Sequence, residues 1–171
     1  MPLVKTNIYR EFIAKMEQQI KEQFHKAFYE VIRESVLTSN HEHIVRLYTE
    51  IVDRIAAKVT NDGPTFKKIH QDFDVDFFKQ LLTNKVFDSN SLIGLINTTF
   101  RWIHDLQMPI RDTSTEEARQ RVLQTHLSMA DIVPVYIKEV HGCLELLEKD
   151  MDEFFENQNH PVVQQMLKQN T

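Results

Sequence analysis

The sequence predicts an all-α fold, a single helical bundle of about seven or eight helices, and three observations predict it. Glycine occurs three times and proline five times in 171 residues, too few breakers for a many-turned β-fold. Large apolar residues recur at steps of three and four along most of the chain, which lines them up on one side of a helix. No segment alternates with period two over a useful length. The best strand candidate, residues 133–137, continues in helical step into Val140 and Leu144.

The first helix is predicted over about residues 7–37. Ile8, Phe12, Met16, Ile20, Phe24, Ala27, Phe28, Val31 and Ile32 share one face, with Lys5, Arg10, Glu17, Lys21 and Glu30 largely off it. At about 30 residues it is unusually long, and a bend or break is expected near Phe24. Ser39-Asn40-His41-Glu42 matches a capping box, in which a hydroxyl and a carboxylate three residues on satisfy orphan amides. The second helix carries Ile44, Leu47, Tyr48, Ile51, Ile55 and Val59 and stops at Asn61-Asp62-Gly63-Pro64. Pro64 suits the first turn of a short third helix with Phe66 and Ile69. Asp74 is a cap for a fourth, with Val75, Phe78, Leu81 and Leu82.

Residues 88–90 offer caps for a fifth helix, with Leu92, Leu95, Ile96, Phe100, Ile103 and Leu106. It is expected to be the most buried, because few charges interrupt it before Arg101. Pro109 ends it. Thr113-Ser114-Thr115-Glu116 is a second capping-box match, leading into a helix with Ala118, Val122, His126 and Met129. Asp131 is expected to cap the last long helix, with Pro134 tolerated in its first turn. Its stripe is Tyr136, Val140, Cys143, Leu144, Leu147, Met151 and Phe154. Pro161 opens a short terminal helix. Residues 1–171 read as one helical domain, with a core over about 7–156 and a polar tail over 157–171. Most of the 11 phenylalanines are expected to be core anchors.

Composition narrows the function classes. The formal charge is −5, from 20 Lys and Arg against 25 Asp and Glu, a poor balance for gripping a phosphate backbone. Acid concentrates over residues 143–156, where Glu145, Glu148, Asp150, Asp152, Glu153 and Glu156 face only Lys149; a solvated helix face is favoured over a docking face for a basic partner. Cys143 is the only cysteine, which excludes an intrachain disulfide and suits a reducing compartment. No stretch approaches the roughly 18 apolar residues of a spanning helix, and the first residues lack the apolar run of a signal segment. A cytoplasmic protein is expected.

Chemical motifs are sparse. Glu22 and His25 have the Glu-x-x-His spacing of di-iron bundles, but such sites need two copies and further carboxylates. His41 and His43 flank Glu42 at a helix start, where alternate residues do not converge on one metal; capping and solvent exposure account for them. His104-Asp105 resembles the His-Asp dipeptide of helical metal-dependent phosphohydrolases, with His70 and Asp131 as the nominees for the remaining ligands. Cys143 lies on an apolar stripe with His141 on a different face, which favours a buried structural thiol over a nucleophile. Three scattered glycines make no phosphate loop.

Several segments carry a family resemblance. They are residues 24–29 (FHKAFY), residues 43–51 (HIVRLYTEI), Asp74-Val75-Asp76, the stretch 92–102, Leu144-Glu145-Leu146-Leu147, and Asp150-Met151 with Phe154. The most distinctive is Pro109-Ile110-Arg111-Asp112, similar to a Pro-Val-Arg-Asp segment. Over roughly residues 24–165 the chain resembles the T-complex protein 11 family, as a shortened member. The resemblance implies an association with signalling, including cyclic-AMP-dependent kinase pathways, and brings no catalytic residues.

Physically, Pro109 stops a helix, and Arg111 and Asp112 fall between one helix C-terminus and the next N-terminus. There arginine can bond the last free carbonyls and aspartate can complement the next dipole, so an interhelical clamp is favoured over a recognition loop. The expected function is a non-enzymatic signalling or scaffolding protein without metal or cofactor. It would bind a protein partner through a helical groove containing Phe24 and Phe28 and the turn Pro109, Ile110, Arg111 and Asp112. Tyr9 and Phe12 belong with that groove, and Met16, Met129, Met151 and Met166 are candidates to line it. Nucleic acid is not an expected partner. Two alternatives stand: a metal-dependent helical phosphohydrolase, and a virus-encoded oligomeric structural or host-interaction protein, which would make the chain a homo-oligomer.

Overall fold

The computed structural model describes residues 2–125 and 128–169. Among these the chain is all-α, with eight helices and one 3-10 turn. In order they are α1 (Pro2–Leu37), α2 (His41–Ala56), α3 (Pro64–Phe73), α4 (Val75–Thr83), α5 (Ser89–Leu106), the 3-10 turn Pro109–Arg111, α6 (Asp112–Leu123), α7 (Met129–Gln158) and α8 (Pro161–Gln169). The sequence-predicted bundle is therefore present. His126, placed above on the sixth helix, lies outside the described residues.

Helix boundaries follow local chemistry with instructive exceptions. Asp74 caps α4 by accepting the Phe77 amide at 3.0 Å, and Asp88 caps α5 by accepting the Ser91 amide at 2.9 Å. Pro64 occupies the first turn of α3. The first capping box is corrected: Asn40, not Ser39, caps α2, accepting the His43 amide at 3.4 Å. Ser39 instead closes α1 in the left-handed conformation (φ 55°), with its amide donating to Val36 O and the Asn40 amide to Ser35 O. That pattern is a Schellman end, which usually takes glycine. The second capping box is also absent. α6 begins at Asp112, and Glu116 binds Arg119 rather than reaching back. Ser128 is the cap residue of α7, and its hydroxyl donates to Asp131 at 2.8 Å. Met129 consequently opens α7, and Pro134 lies beyond its first turn.

α7 is the centre of the bundle, packing against α1, α2, α5, α6 and α8, while α2 joins α1, α3, α4 and α7. The core combines Leu47, Ile51, Val52 and Ile55 of α2, Ile96, Phe100 and Ile103 of α5, and Val140, Leu144 and Leu147 of α7. α5 is not the most buried helix: it buries six of 18 residues, whereas α2 buries six of 16. Thr99 and Tyr136 share a buried 2.7 Å hydrogen bond between α5 and α7, and the Tyr48 hydroxyl donates to the Phe73 carbonyl.

Two expectations about apolar residues meet different outcomes. α1 runs unbroken through Phe24, since no Pro or Gly interrupts it there. Most phenylalanines do lie in or against the core, namely Phe28, Phe66, Phe73, Phe78, Phe87 and Phe100, while Phe12, Phe24, Phe77, Phe154 and Phe155 are exposed. Phe154 falls on the predicted α7 stripe but lies beyond the last well-covered turn at Leu147 and Met151.

Candidate interaction surface

α1 changes character along its length. Ile32 is fully buried, and Phe28 and Tyr29 pack against the core, with Phe28 stacked on His141 of α7 at 6.4 Å. Burial lowers the His141 pKa, which favours the neutral ring in that apolar contact. Arg33 donates to Asp131 at 3.0 Å, tying the end of α1 to the start of α7. Toward the N-terminus this packing ceases. Ile8, Tyr9, Phe12, Ile13, Met16, Ile20 and Phe24 are all exposed, Phe24 at 71%. They recur at helical spacing, so most form one continuous apolar side. Between residues 10 and 26 Arg10, Lys15, Lys21 and Lys26 face Glu11, Glu17 and Glu22, a near balance that leaves apolar area as the surface's main feature.

The four nominated turn residues separate into two pairs. Arg111 makes a forked ion pair with Asp150 of α7, Nε to Oδ2 and Nη2 to Oδ1, each 2.8 Å. Its partner is a carboxylate rather than the helix-end carbonyls expected above. Asp150 is only 7% exposed, and the guanidinium holds its carboxyl below the usual aspartate range. Asp112 opens α6, accepts from Gln107 Nε2 at 2.9 Å, and lies 3.5 Å from His104 Nε2. Those two residues hold the turn in place. Pro109 and Ile110 face outward, with Ile110 at 83% the most exposed of the large apolar side chains among the described residues.

Arg111 is one of a set that sequence reasoning did not assemble. Along α7, Asp131 pairs with Arg33, Glu139 with Arg121 of α6 at 2.9 Å, Glu148 with Arg54 of α2 at 2.6 Å, and Asp150 with Arg111. Lys58 adds a second cation to Glu148 at 3.5 Å. The acidic run over 143–156 is thus partly internal wiring: Glu148 and Asp150 tie helices together, while Glu145, Asp152, Glu153 and Glu156 remain at the surface. Arginine's planar fork suits such carboxylate pairing. The use of arginine and no lysine on α2 and α6 is the available signal, but the pairing needs the packing.

The residues nominated for metal chemistry do not gather. His70 lies tilted against the Phe66 ring at 4.5 Å, Asp131 is engaged by Arg33 and Ser128, and His104 lies beside Asp105 and Asp112. Glu22 accepts from Gln18. His43 is half-buried and shares a 2.6 Å hydrogen bond with Ser35, so its role is not solvent exposure. Among the described residues no group of three or more His, Cys, Asp or Glu could hold a metal ion, which weighs against the phosphohydrolase reading. Cys143 is buried, and burial raises its thiol pKa, the opposite of nucleophile activation. No helix among the described residues is long and apolar enough to cross a membrane.

Comparisons with curated proteins and with solved structures return no match. A family model does match, and it covers α1 as well as the bundle behind it. Matched over residues 5–166, nearly the whole chain, the protein belongs to the T-complex protein 11 family.

Proposed function

We propose that this chain is a non-enzymatic signalling or scaffolding protein of the cytoplasm that docks a protein partner along the bare face of α1. One observation carries the reading: seven large apolar side chains from Ile8 to Phe24 stand uncovered on a helix whose last turns belong to the core. Contiguous apolar surface of this kind marks interaction sites in folded proteins, and an amphipathic helix is a common form for them. Such a helix gains little stability without packing, so a covering partner would stabilise it. Ile110 is the turn's contribution to the surface, with Arg111 and Asp112 positioning it. The family resemblance points to cyclic-AMP-dependent kinase pathways as the setting.

The test is site-specific photo-crosslinking in the native cell, with the reactive group at position 24, at position 110, and at exposed Lys67 as control. Discrete adducts are expected from position 24 and none from position 67. Equal labelling from all three positions would remove α1 as the docking face. Self-association is the second reading, favoured by the balanced charge of α1. Sedimentation separates it, because a homo-oligomer would give concentration-dependent mass without any partner.

A further inference from the structure

A cavity of about 330 Å³ opens between the end of α1, α2, α4, α5 and α7, with a predominantly apolar lining that includes Ile44, Leu47, Phe78, Leu92 and Val133. Its size falls at the small end of small-molecule sites, about 300–1,000 Å³, and well above the voids left by ordinary core packing. The two tyrosine hydroxyls in its wall are engaged elsewhere, Tyr48 with Phe73 O and Tyr136 with Thr99. The remaining polar groups are Ser39, His41 and Lys85. No carboxylate lines the cavity, and Lys85 has no ion pair among the described residues. The acids nearest these residues in sequence are engaged elsewhere: Glu42 lies 3.4 Å from Arg46, and Asp88 accepts the Ser91 amide at 2.9 Å.

The backbone at this lip is unusual. Among the described residues three non-glycine positions have positive φ, and two of them, Ser39 (55°) and Lys85 (56°), line this cavity. Each ends a helix with a Schellman pair: the Lys85 amide donates to Leu82 O and the Val86 amide to Leu81 O, as Ser39 and Asn40 do behind α1. Glycine is the easy residue at such a position. A side chain kept there against its conformational preference is a reason to look for a use.

We propose that this cavity binds a medium-length aliphatic carboxylate, its chain among the apolar walls and its head group at Lys85, with His41 and Ser39 beside it. A cation and a hydroxyl at the mouth of an acid-free apolar cavity complement a carboxylate and disfavour a cationic amphiphile.

Isothermal titration of the full chain with decanoate tests this, with 1-decanol and decylammonium as comparators. Decanoate is expected to bind about ten-fold or more tightly than either, the worth of one charge-assisted hydrogen bond. Lys85→Glu is expected to abolish that preference. Lys85→Gly is the sharper variant: relief of the left-handed backbone should raise the melting temperature by about 1–3 °C while weakening decanoate binding. Filling the mouth with Leu95→Trp, or Ile44→Phe should the first fail to fold, should remove binding of all three. Charged substitutions on α1 should leave it intact, which separates this site from the docking face. Absence of decanoate binding, decanol binding as tightly, or full affinity in Lys85→Gly would each overturn the proposal.

Discussion

The two longest helices use the same kind of apolar stripe to opposite ends. α7, 30 residues long, buries nine of them and sends four carboxylates to arginines on four other elements. α1, 36 residues long, buries only Ile32 and Ser35 among its described side chains, and most of its apolar side faces outward. A helical repeat of large apolar residues therefore states that a face exists, not that the chain covers it. What distinguishes α7 is the matching of its acids to cations elsewhere, which pins its register against the rest of the bundle. Among the described residues α1 has one such long-range pair, Arg33 with Asp131, at its far end.

Substitutions should expose that contrast in order of size. Leu144→Ala, at a fully buried position of α7, is expected to cost about 2–5 kcal/mol in urea unfolding. Ile32→Ala should fall in the same range, marking the last part of α1 that belongs to the core.

Arg111→Ala should come next, because it leaves Asp150 under the turn without its cation. A lowered melting temperature is expected, with a change in acid sensitivity. Asp150 and Glu116 both have depressed folded-state pKa values, the latter pushed down to about 2 by Arg119. A carboxyl depressed on folding contributes stability above its ordinary pKa and loses it as pH falls through the folded value. Wild-type stability should thus decline as pH drops from about 4.5 toward 2, and Arg111→Ala should show a shallower decline over that window. An unchanged melting curve and acid profile would mean that the forked pair contributes nothing.

Tyr136→Phe removes the buried bond to Thr99 while leaving Thr99 its second bond, to the Leu95 carbonyl at 2.8 Å. About 1 kcal/mol of lost stability is expected from thermal unfolding. The smallest effect belongs to α1: Phe12→Ser or Ile20→Ser should shift stability by no more than about 0.5 kcal/mol. Amide exchange over residues 8–24 should also be far faster than over α2, since nothing packs on that face. Slow exchange there would show that the face is covered.

Much of the bundle was legible in the residues. The stripes of α2 and α5, the caps at Asp74 and Asp88 and the proline starts of α3 and α8 follow from local rules. Local rules mislead where two of them compete. Ser39 looks like a cap because Glu42 follows it, but the end of α1 claims that residue for its own closure, and Asn40 takes the cap. Thr113 loses its role because Arg111, drawn toward Asp150, lets α6 begin two residues sooner. Phe12, Phe24 and Phe154 looked like core because burial depends on what lies opposite, which one helix cannot report. At the candidate surface, the clamp role of the 109–112 turn was foreseeable from Pro109, whereas its partner was not. The family match over residues 5–166 begins well before the segments that suggested it and takes in the exposed part of α1.

The most direct measurement is affinity capture from the native cell with wild-type protein and with the triple variant Phe12→Glu, Ile20→Glu, Phe24→Glu, each first checked by thermal melting. The account predicts a variant that melts as wild type does and no longer retains the proteins that the wild type holds. Retention of the same proteins, or a variant that melts as low as Ile32→Ala, would contradict it.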